Sequence, residues 1–112
     1  MKKTAMLLIC VLATSATCAA DMKDYESVKK TDIFRYWLKG VSDGYMAANG
    51  SLASDREHPL FCSPRKLGIN IDNAVDILDN YIRAHANMAE KLRTIPIEVV
   101  YLATLKDAFP CK

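Results

Sequence analysis

The side chains that most often carry catalysis or bind metals are few in this chain. His58 lies in a polar stretch beside acidic residues, and His85 follows an apolar run. Neither histidine occurs in HExxH or in another spacing typical of metal ligands. The glycines are scattered and form no phosphate-binding loop, and no strand–turn–helix pattern would present a nucleophilic serine. The sequence therefore predicts a protein that is not an enzyme and that uses no metal or cofactor.

Three aspartates, Asp72, Asp76 and Asp79, follow one another at steps of four and three residues. This spacing places them on one side of a helix. Because the intervening residues are largely apolar, we interpret the aspartates as the solvated face of an amphipathic helix rather than as paired catalytic carboxylates.

The N-terminus of the chain has the pattern of a targeting segment. Lys2 and Lys3 precede a short apolar run, and Cys18-Ala19-Ala20 supplies small side chains at positions −3 and −1 of a cut before Asp21. A membrane span takes about 20 apolar residues, more than this run provides. Residues 1–20 are thus predicted to be a cleaved signal peptide, and the alternative is a buried N-terminal helix.

Export through a signal peptide predicts a periplasmic protein with no membrane association in its mature form. Cys18 raises the alternative of a lipid-anchored protein, but Ser15-Ala16-Thr17 before it fits a lipidation motif poorly.

Processing also changes the charge of the chain. The signal segment contains two of the 15 Lys and Arg residues and none of the 13 Asp and Glu residues. Residues 21–112 are therefore neutral overall, with His counted as uncharged. A neutral domain lacks the basic excess that neutralises phosphates, which argues against a nucleic-acid partner.

Two cysteines, Cys62 and Cys111, remain after cleavage. An even number of cysteines in a small exported domain predicts a disulfide, which here would close a loop of about 49 residues and stabilise the fold by about 4 kcal/mol. The alternative, a reactive or metal-bound thiol, is disfavoured because neither cysteine lies in a CxxC motif.

Apolar residues at steps of three and four predict a first long helix from residue 31, with Thr31 or Asp32 as its cap. The preceding segment, Asp21–Lys30, is charged and weakly patterned, and we expect a frayed lead-in. The apolar stripe comprises Ile33, Phe34, Trp37, Leu38, Val41 and Tyr45.

Gly40 and Gly44 lie four residues apart within this helix. Two interpretations stay open. Either the glycines bend the helix or end it early, or they allow another helix to approach closely, in the same chain or in a partner.

Residues 47–59 form the longest polar stretch and are interpreted as an exposed loop, with Asn49-Gly50-Ser51 as the helix stop. A loop of this kind is either a recognition surface or a solvated connector.

Two further helices are predicted. One begins near Asn70, a good cap, and ends around His85–Asn87, and another has Pro96 in its first turn and is terminated by Pro110. Residues 88–94 are expected to form a short link of basic and acidic residues between them, about one helical turn long. The fold class is therefore all-α: a small bundle of three to five helices in a single domain, residues 21–112, clasped by one disulfide.

Several motifs resemble the Rap/Tai immunity-protein family of type VI secretion. The most specific are Phe-Cys-Ser-Pro at residues 61–64 and Ala-Phe-Pro-Cys at residues 108–111. Leu-x-Gly-Val-x-Asp-Gly at residues 38–44 is similar to the glycine-containing first helix of that family. The likeness extends from Phe34 to Cys111, although the additional cysteine pair common around the family's first helix is missing here.

The resemblance implies an exported, often dimeric protein that binds a peptidoglycan amidase effector, blocks its active-site cleft and protects the producing cell. Polarity and placement select two candidate contact segments, residues 51–58 and 87–94. The residues expected to contact the effector are Asp55, Arg56, Glu57, Lys91 and Arg93.

Two other function classes remain. Small periplasmic acid-activated chaperones are also helical and carry a single disulfide, and suppression of client aggregation at low pH without toxin binding would identify one. An enzyme would need a general base, for which the chain offers only His58 and His85.

Overall fold

The computed structural model describes residues 20–64 and 68–112. The predicted signal peptide, apart from Ala20, and Cys18 lie outside the described residues. Five α-helices follow one another in the described part: α1 (Tyr25–Val28), α2 (Asp32–Ser54), α3 (Ile71–Ala84), α4 (Ala89–Leu92) and α5 (Ile97–Ala108). Short 3-10 turns at Met22–Asp24 and Ala86–Met88 precede α1 and α4. Since these ranges contain helices and no strand, the predicted small all-α fold is confirmed.

Helix α2 is the longest element and continues beyond its predicted end. The Thr31 side chain caps its start by accepting a hydrogen bond from the Phe34 N–H at 3.3 Å. The predicted stop at Asn49-Gly50-Ser51 is wrong, because the helix runs on to Ser54. The interior Gly50 costs about 1 kcal/mol against alanine, which tertiary contacts of the neighbouring Asn49 can offset.

The glycines of α2 have no close neighbour within the described chain. The helix continues through Gly40 and Gly44, and a methyl group added at either position would meet no atom within 4 Å. The interpretations of an early helix end and of close approach by another helix of the same chain are therefore wrong.

The segment before α2 is folded rather than frayed, contrary to expectation. Tyr25 in α1 is only 1% exposed and packs edge-on against Phe34, with ring centroids 5.8 Å apart. The N–H groups of Met22 and Lys23 each donate a 3.0 Å hydrogen bond, to the carbonyls of Ile95 and Arg93. The Ala20 carbonyl accepts one from the Ile97 N–H at 3.1 Å. These bonds fix the N-terminal segment along the entry to α5.

The core lies between the three longer helices, which pack against one another. Asn70 caps α3 as predicted, its side chain accepting from the Asn73 N–H at 2.8 Å. The largest buried side chains from these helices are Leu38, Leu78, Ile97, Tyr101 and Leu105. No helix in the described ranges is both long and apolar enough to cross a membrane.

A polar pair lies inside this core. The hydroxyl groups of Ser42 and Tyr101 form a hydrogen bond, and both residues are at most 1% exposed. Burial raises the pKa of the Tyr101 phenol, so it remains a neutral hydroxyl. Ser42 was not predicted as a core residue, because the core was predicted from the periodicity of apolar side chains and serine is polar.

Removing one member of this pair is expected to destabilise the fold. Ser42→Ala and Tyr101→Phe should each lower the free energy of unfolding by about 1–2 kcal/mol, because each leaves a buried hydroxyl without a partner. The double variant should lose less than the sum of the two. Urea denaturation of all four proteins measures this coupling, and strictly additive losses would contradict the buried hydrogen bond.

The predicted disulfide is present and joins Cys62 to Cys111 across a separation of 49 residues, with Cα atoms 4.9 Å apart. The Cys62 N–H also donates to the Phe109 carbonyl at 2.8 Å. The chain after α5 is thus attached to the extended segment between α2 and α3.

Candidate functional site

The first candidate contact segment begins where α2 ends. Arg56 has a φ of 61°, in the left-handed region, and the N–H groups of Arg56 and Glu57 bond back to the carbonyls of Ala53 at 3.3 Å and Leu52 at 2.9 Å. This is a Schellman motif, which usually places glycine where Arg56 stands. Asp55, Arg56 and Glu57 are all exposed. Their backbone is therefore fixed while their side chains face solvent.

The other end of this segment is held by Asn49. Its Oδ1 accepts hydrogen bonds from the N–H groups of Leu60 at 2.6 Å and Phe61 at 3.2 Å, and its Nδ2 donates to the Phe61 carbonyl at 2.7 Å. We call this set of three bonds the Asn49 clamp. Phe61 itself is buried, and Cys62 follows in the disulfide. The loop between α2 and Phe61 is consequently anchored at both ends.

The conformation of Arg56 leads to a prediction about stability. A non-glycine residue in the left-handed region is strained by about 1 kcal/mol. Arg56→Gly should therefore raise the free energy of unfolding by about 1 kcal/mol, whereas Arg56→Ala, which also removes the side chain, should not. Urea denaturation of both variants tests this, and equal stabilities would show that residue 56 is unstrained.

The second candidate segment contains Lys91, in α4, and Arg93, directly after it. Both side chains are exposed, and Arg93 forms a weak 3.6 Å ion pair with Glu90. Leu92 between them is inserted into the core. The Arg93 carbonyl accepts from the Lys23 N–H. The N-terminal segment thus positions this candidate surface.

The two candidate segments have separate anchors. The first is held by α2 and the Asn49 clamp, and the second by the N-terminal segment and the core contact of Leu92. Within the described ranges, no hydrogen bond or ion pair joins Asp55, Arg56 or Glu57 to Lys91 or Arg93. In the described residues, the two candidate segments are therefore held separately and do not form one joined cluster.

A charged groove of about 600 Å³ lies between α1 and α3. Lys29 Nζ is 2.9 Å from a carboxylate oxygen of Glu26 and 3.4 Å from one of Asp79, and the Tyr25 hydroxyl donates to Asp79 at 2.8 Å. The hydrogen bond to Glu26 raises the pKa of the Lys29 ammonium. Burial, together with the bond to Asp79, raises the pKa of the Tyr25 phenol. These opposite charges fasten α1 to α3, so we assign the groove a structural role.

The two histidines occupy different environments. His58 is exposed in the loop after α2. His85 stacks on the Tyr81 ring, with centroids 4.1 Å apart, and its Nδ1 lies 2.9 Å from the Tyr81 carbonyl oxygen. In the residues that the structure describes, no three His, Cys, Asp or Glu side chains are grouped as they would be to hold a metal ion.

The residues that organise the first segment were not found from the sequence. Asn49 was interpreted as part of a helix stop, because Asn-Gly-Ser is a common loop signal. Its role depends on Leu60 and Phe61, which are eleven and twelve residues later. The apolar pair Leu60-Phe61 before Cys62 was the one available sign that the chain returns to the core at this point.

Comparisons with known proteins give one positive finding. The family model described as Rap1a immunity proteins matches residues 9–111. No curated protein and no solved structure matches this chain. The family match covers the whole described fold, including both cysteines of the disulfide and both candidate contact segments. The chain therefore belongs to the family of Rap1a immunity proteins.

Proposed function

We propose that this protein acts in the periplasm, where it binds a peptidoglycan amidase delivered by type VI secretion and blocks the amidase active-site cleft. The observation that carries the proposal is the family match over residues 9–111. A peptidoglycan amidase acts in the periplasm, so an inhibitor that protects the producing cell has to be exported to the same compartment.

The anchoring of the first contact segment supports this proposal. Binding a protein costs free energy when loops and side chains must be ordered at the interface, and a loop fixed beforehand avoids part of that cost. The Schellman motif at Arg56, the Asn49 clamp and the Cys62–Cys111 disulfide fix the backbone around residues 55–59. A rigid display of this kind suits an inhibitor, which needs complementary shape rather than reactive groups.

The exposed charges of the two segments are the proposed contacts. Arginine is among the residues that most often dominate interface energies, and Arg56 and Arg93 are both exposed. Arg56 is held in a strained conformation, and such conformations tend to occur at functional positions. We therefore rank Arg56 first among the five candidate residues.

The test is an amidase assay on purified peptidoglycan with and without the mature chain. We expect inhibition by the unaltered protein and an inhibition constant about 100-fold weaker, equivalent to ~3 kcal/mol, when all five contact residues are alanine. The replaced residues are Asp55, Arg56, Glu57, Lys91 and Arg93.

A matched control replaces three exposed charged residues outside the two segments, Lys30, Lys106 and Asp107, with alanine. This variant should inhibit like the unaltered protein. Full inhibition by the five-residue variant would show that the contact assignment is wrong. Failure of the unaltered protein to bind any cell-wall hydrolase, combined with suppression of client aggregation at low pH, would instead support the chaperone alternative.

A further inference from the structure

An apolar pocket of about 240 Å³ lies between the N-terminal segment, α3 and α4. Its apolar side chains include those of Met22, Ile82, Ala89 and Leu92, and we call it the Met22 pocket. Pockets for drug-sized ligands usually measure about 300–1,000 Å³, whereas an apolar cavity of about 150 Å³ already holds a benzene molecule. The size of the Met22 pocket therefore fits one large apolar side chain rather than a cofactor.

Two exposed cations, Lys23 and Arg93, also line the Met22 pocket. The Lys23 N–H donates a 3.0 Å hydrogen bond to the Arg93 carbonyl, which holds the two residues next to each other although like charges on adjacent segments repel. In residues 20–64 and 68–112, Lys23 forms no ion pair, and Arg93 forms only the weak one with Glu90. The acidic residue that lines the pocket, Glu26, is already paired with Lys29. The pocket is therefore suited to a ligand with an anionic group beside an apolar one.

The Met22 pocket continues into the charged groove between α1 and α3, because Glu26 and Ile82 line both. The ion pairs of that groove hold its walls together. Asp76 and Asn80 also line it, are exposed on α3, and have side-chain oxygens that can accept hydrogen bonds from a peptide backbone. Along the helix axis, Ile82 and Asp76 are about 9 Å apart, which is the length of about three residues of extended chain. A short extended peptide therefore fits from the pocket into the groove.

We propose that the Met22 pocket binds the C-terminal residue of a peptide or protein chain that ends in a large apolar residue. The apolar side chain enters the pocket, the terminal carboxylate lies between Lys23 and Arg93, and the preceding residues follow the charged groove. Capture of a terminal carboxylate is a recurring mode of peptide recognition. A free small carboxylate would fill the pocket but leave the groove empty, so the continuity of the two favours a chain.

This binding does not depend on the proposed inhibition of an amidase, although Arg93 also belongs to the second candidate contact segment, and it is measured without an amidase. The ligand fills one small pocket and part of an open groove. We therefore expect a weak dissociation constant of about 0.1–1 mM.

NMR titration of the ¹⁵N-labelled mature chain tests the proposal with two acetylated tetrapeptides. Both consist of three alanines followed by phenylalanine; one has a free C-terminal carboxylate and the other a C-terminal amide. We expect the carboxylate peptide to shift the amide signals of residues 22–26 and 89–93. The amide peptide should bind at least tenfold more weakly, because it brings no charge to the two cations. Equal affinities, or no binding of the carboxylate peptide up to about 10 mM, would overturn the proposal.

Two variants locate the site. Lys23→Gln should weaken binding of the carboxylate peptide about three- to tenfold and leave binding of the amide peptide unchanged. Ala89→Met fills the pocket from an exposed position, so the fold should stay intact while both peptides bind at least tenfold more weakly. The control Ala53→Met makes the same change at an exposed position of α2 and should bind like the unaltered chain. Unchanged binding by Ala89→Met would overturn the assignment to this pocket.

A third ligand distinguishes a chain end from a free small carboxylate. Acetylphenylalanine has the same apolar side chain and carboxylate as the tetrapeptide but has no residues to lie in the groove. We expect it to bind at least threefold more weakly than the carboxylate tetrapeptide. Equal affinity would overturn the proposed binding of a chain and would identify the site as one for small apolar carboxylates.

Discussion

Replacing both Cys62 and Cys111 with serine is expected to lower the free energy of unfolding by about 4 kcal/mol, the largest loss we predict for this protein. The bridge closes a loop of 49 residues, so its removal gives the unfolded chain many more conformations. A domain of this size is typically stable by about 5–15 kcal/mol, and the loss would therefore be a large part of the total. Urea denaturation at constant temperature measures it.

Reduced wild-type protein is the matched control for this variant. It contains the same chain without the bridge and should unfold at nearly the same urea concentration as the doubly substituted protein. Mass spectrometry before and after reduction verifies the bonded state. A loss below about 1 kcal/mol would mean that the unfolded chain is already compact around residues 62–111.

Replacing Asn49 with alanine is expected to cost about 2–4 kcal/mol of stability. The change removes all three bonds of the Asn49 clamp and leaves the backbone groups of Leu60 and Phe61 without these partners at a partly buried position. We also expect weaker inhibition of the effector, because the loop carrying Arg56 loses its second anchor. Urea denaturation and the amidase assay measure the two effects separately.

Asn49→Asp is the matched variant, since it keeps the size of the side chain and the oxygen acceptor. It keeps the acceptor for the Leu60 and Phe61 N–H groups, but it replaces the donor to the Phe61 carbonyl with a second carboxylate oxygen, which that carbonyl repels. Its loss of stability should be smaller than that of Asn49→Ala. If both variants were as stable as the unaltered protein, the clamp would not hold the loop.

The parts of the fold that follow from local rules could be predicted. Thr31 and Asn70 cap α2 and α3 because their side-chain oxygens reach backbone N–H groups three residues later, a relation contained within a few residues. The disulfide followed from there being only two cysteines after the predicted signal peptide. Periodic apolar residues likewise indicated the cores of the three longer helices.

What could not be predicted depends on distant contacts. The burial of Tyr25 requires Phe34 and Asp79, and Asp79 lies on a different helix. In the sequence, Asn49 resembles part of a helix stop, because the residues that bond to its side chain, Leu60 and Phe61, lie eleven and twelve residues later. Ile33 fits the apolar period of α2, yet it is exposed. Periodicity shows which residues lie on one side of a helix, but it does not show how far around the helix the buried surface extends. The contact role of the five charged residues stays a prediction.

The attachment of the N-terminal segment has a consequence for the order of folding. Ala20, Met22 and Lys23 are bonded to the stretch between Arg93 and Ile97, so the earliest described residues complete their contacts only when the entry to α5 is present. The disulfide likewise cannot form until Cys111 is present. A chain that crosses a membrane from its N-terminus would therefore stay incompletely folded until nearly all of it had passed. An incompletely folded chain remains able to pass through a translocation channel. Closure of the domain would then coincide with arrival in the compartment where the disulfide can form.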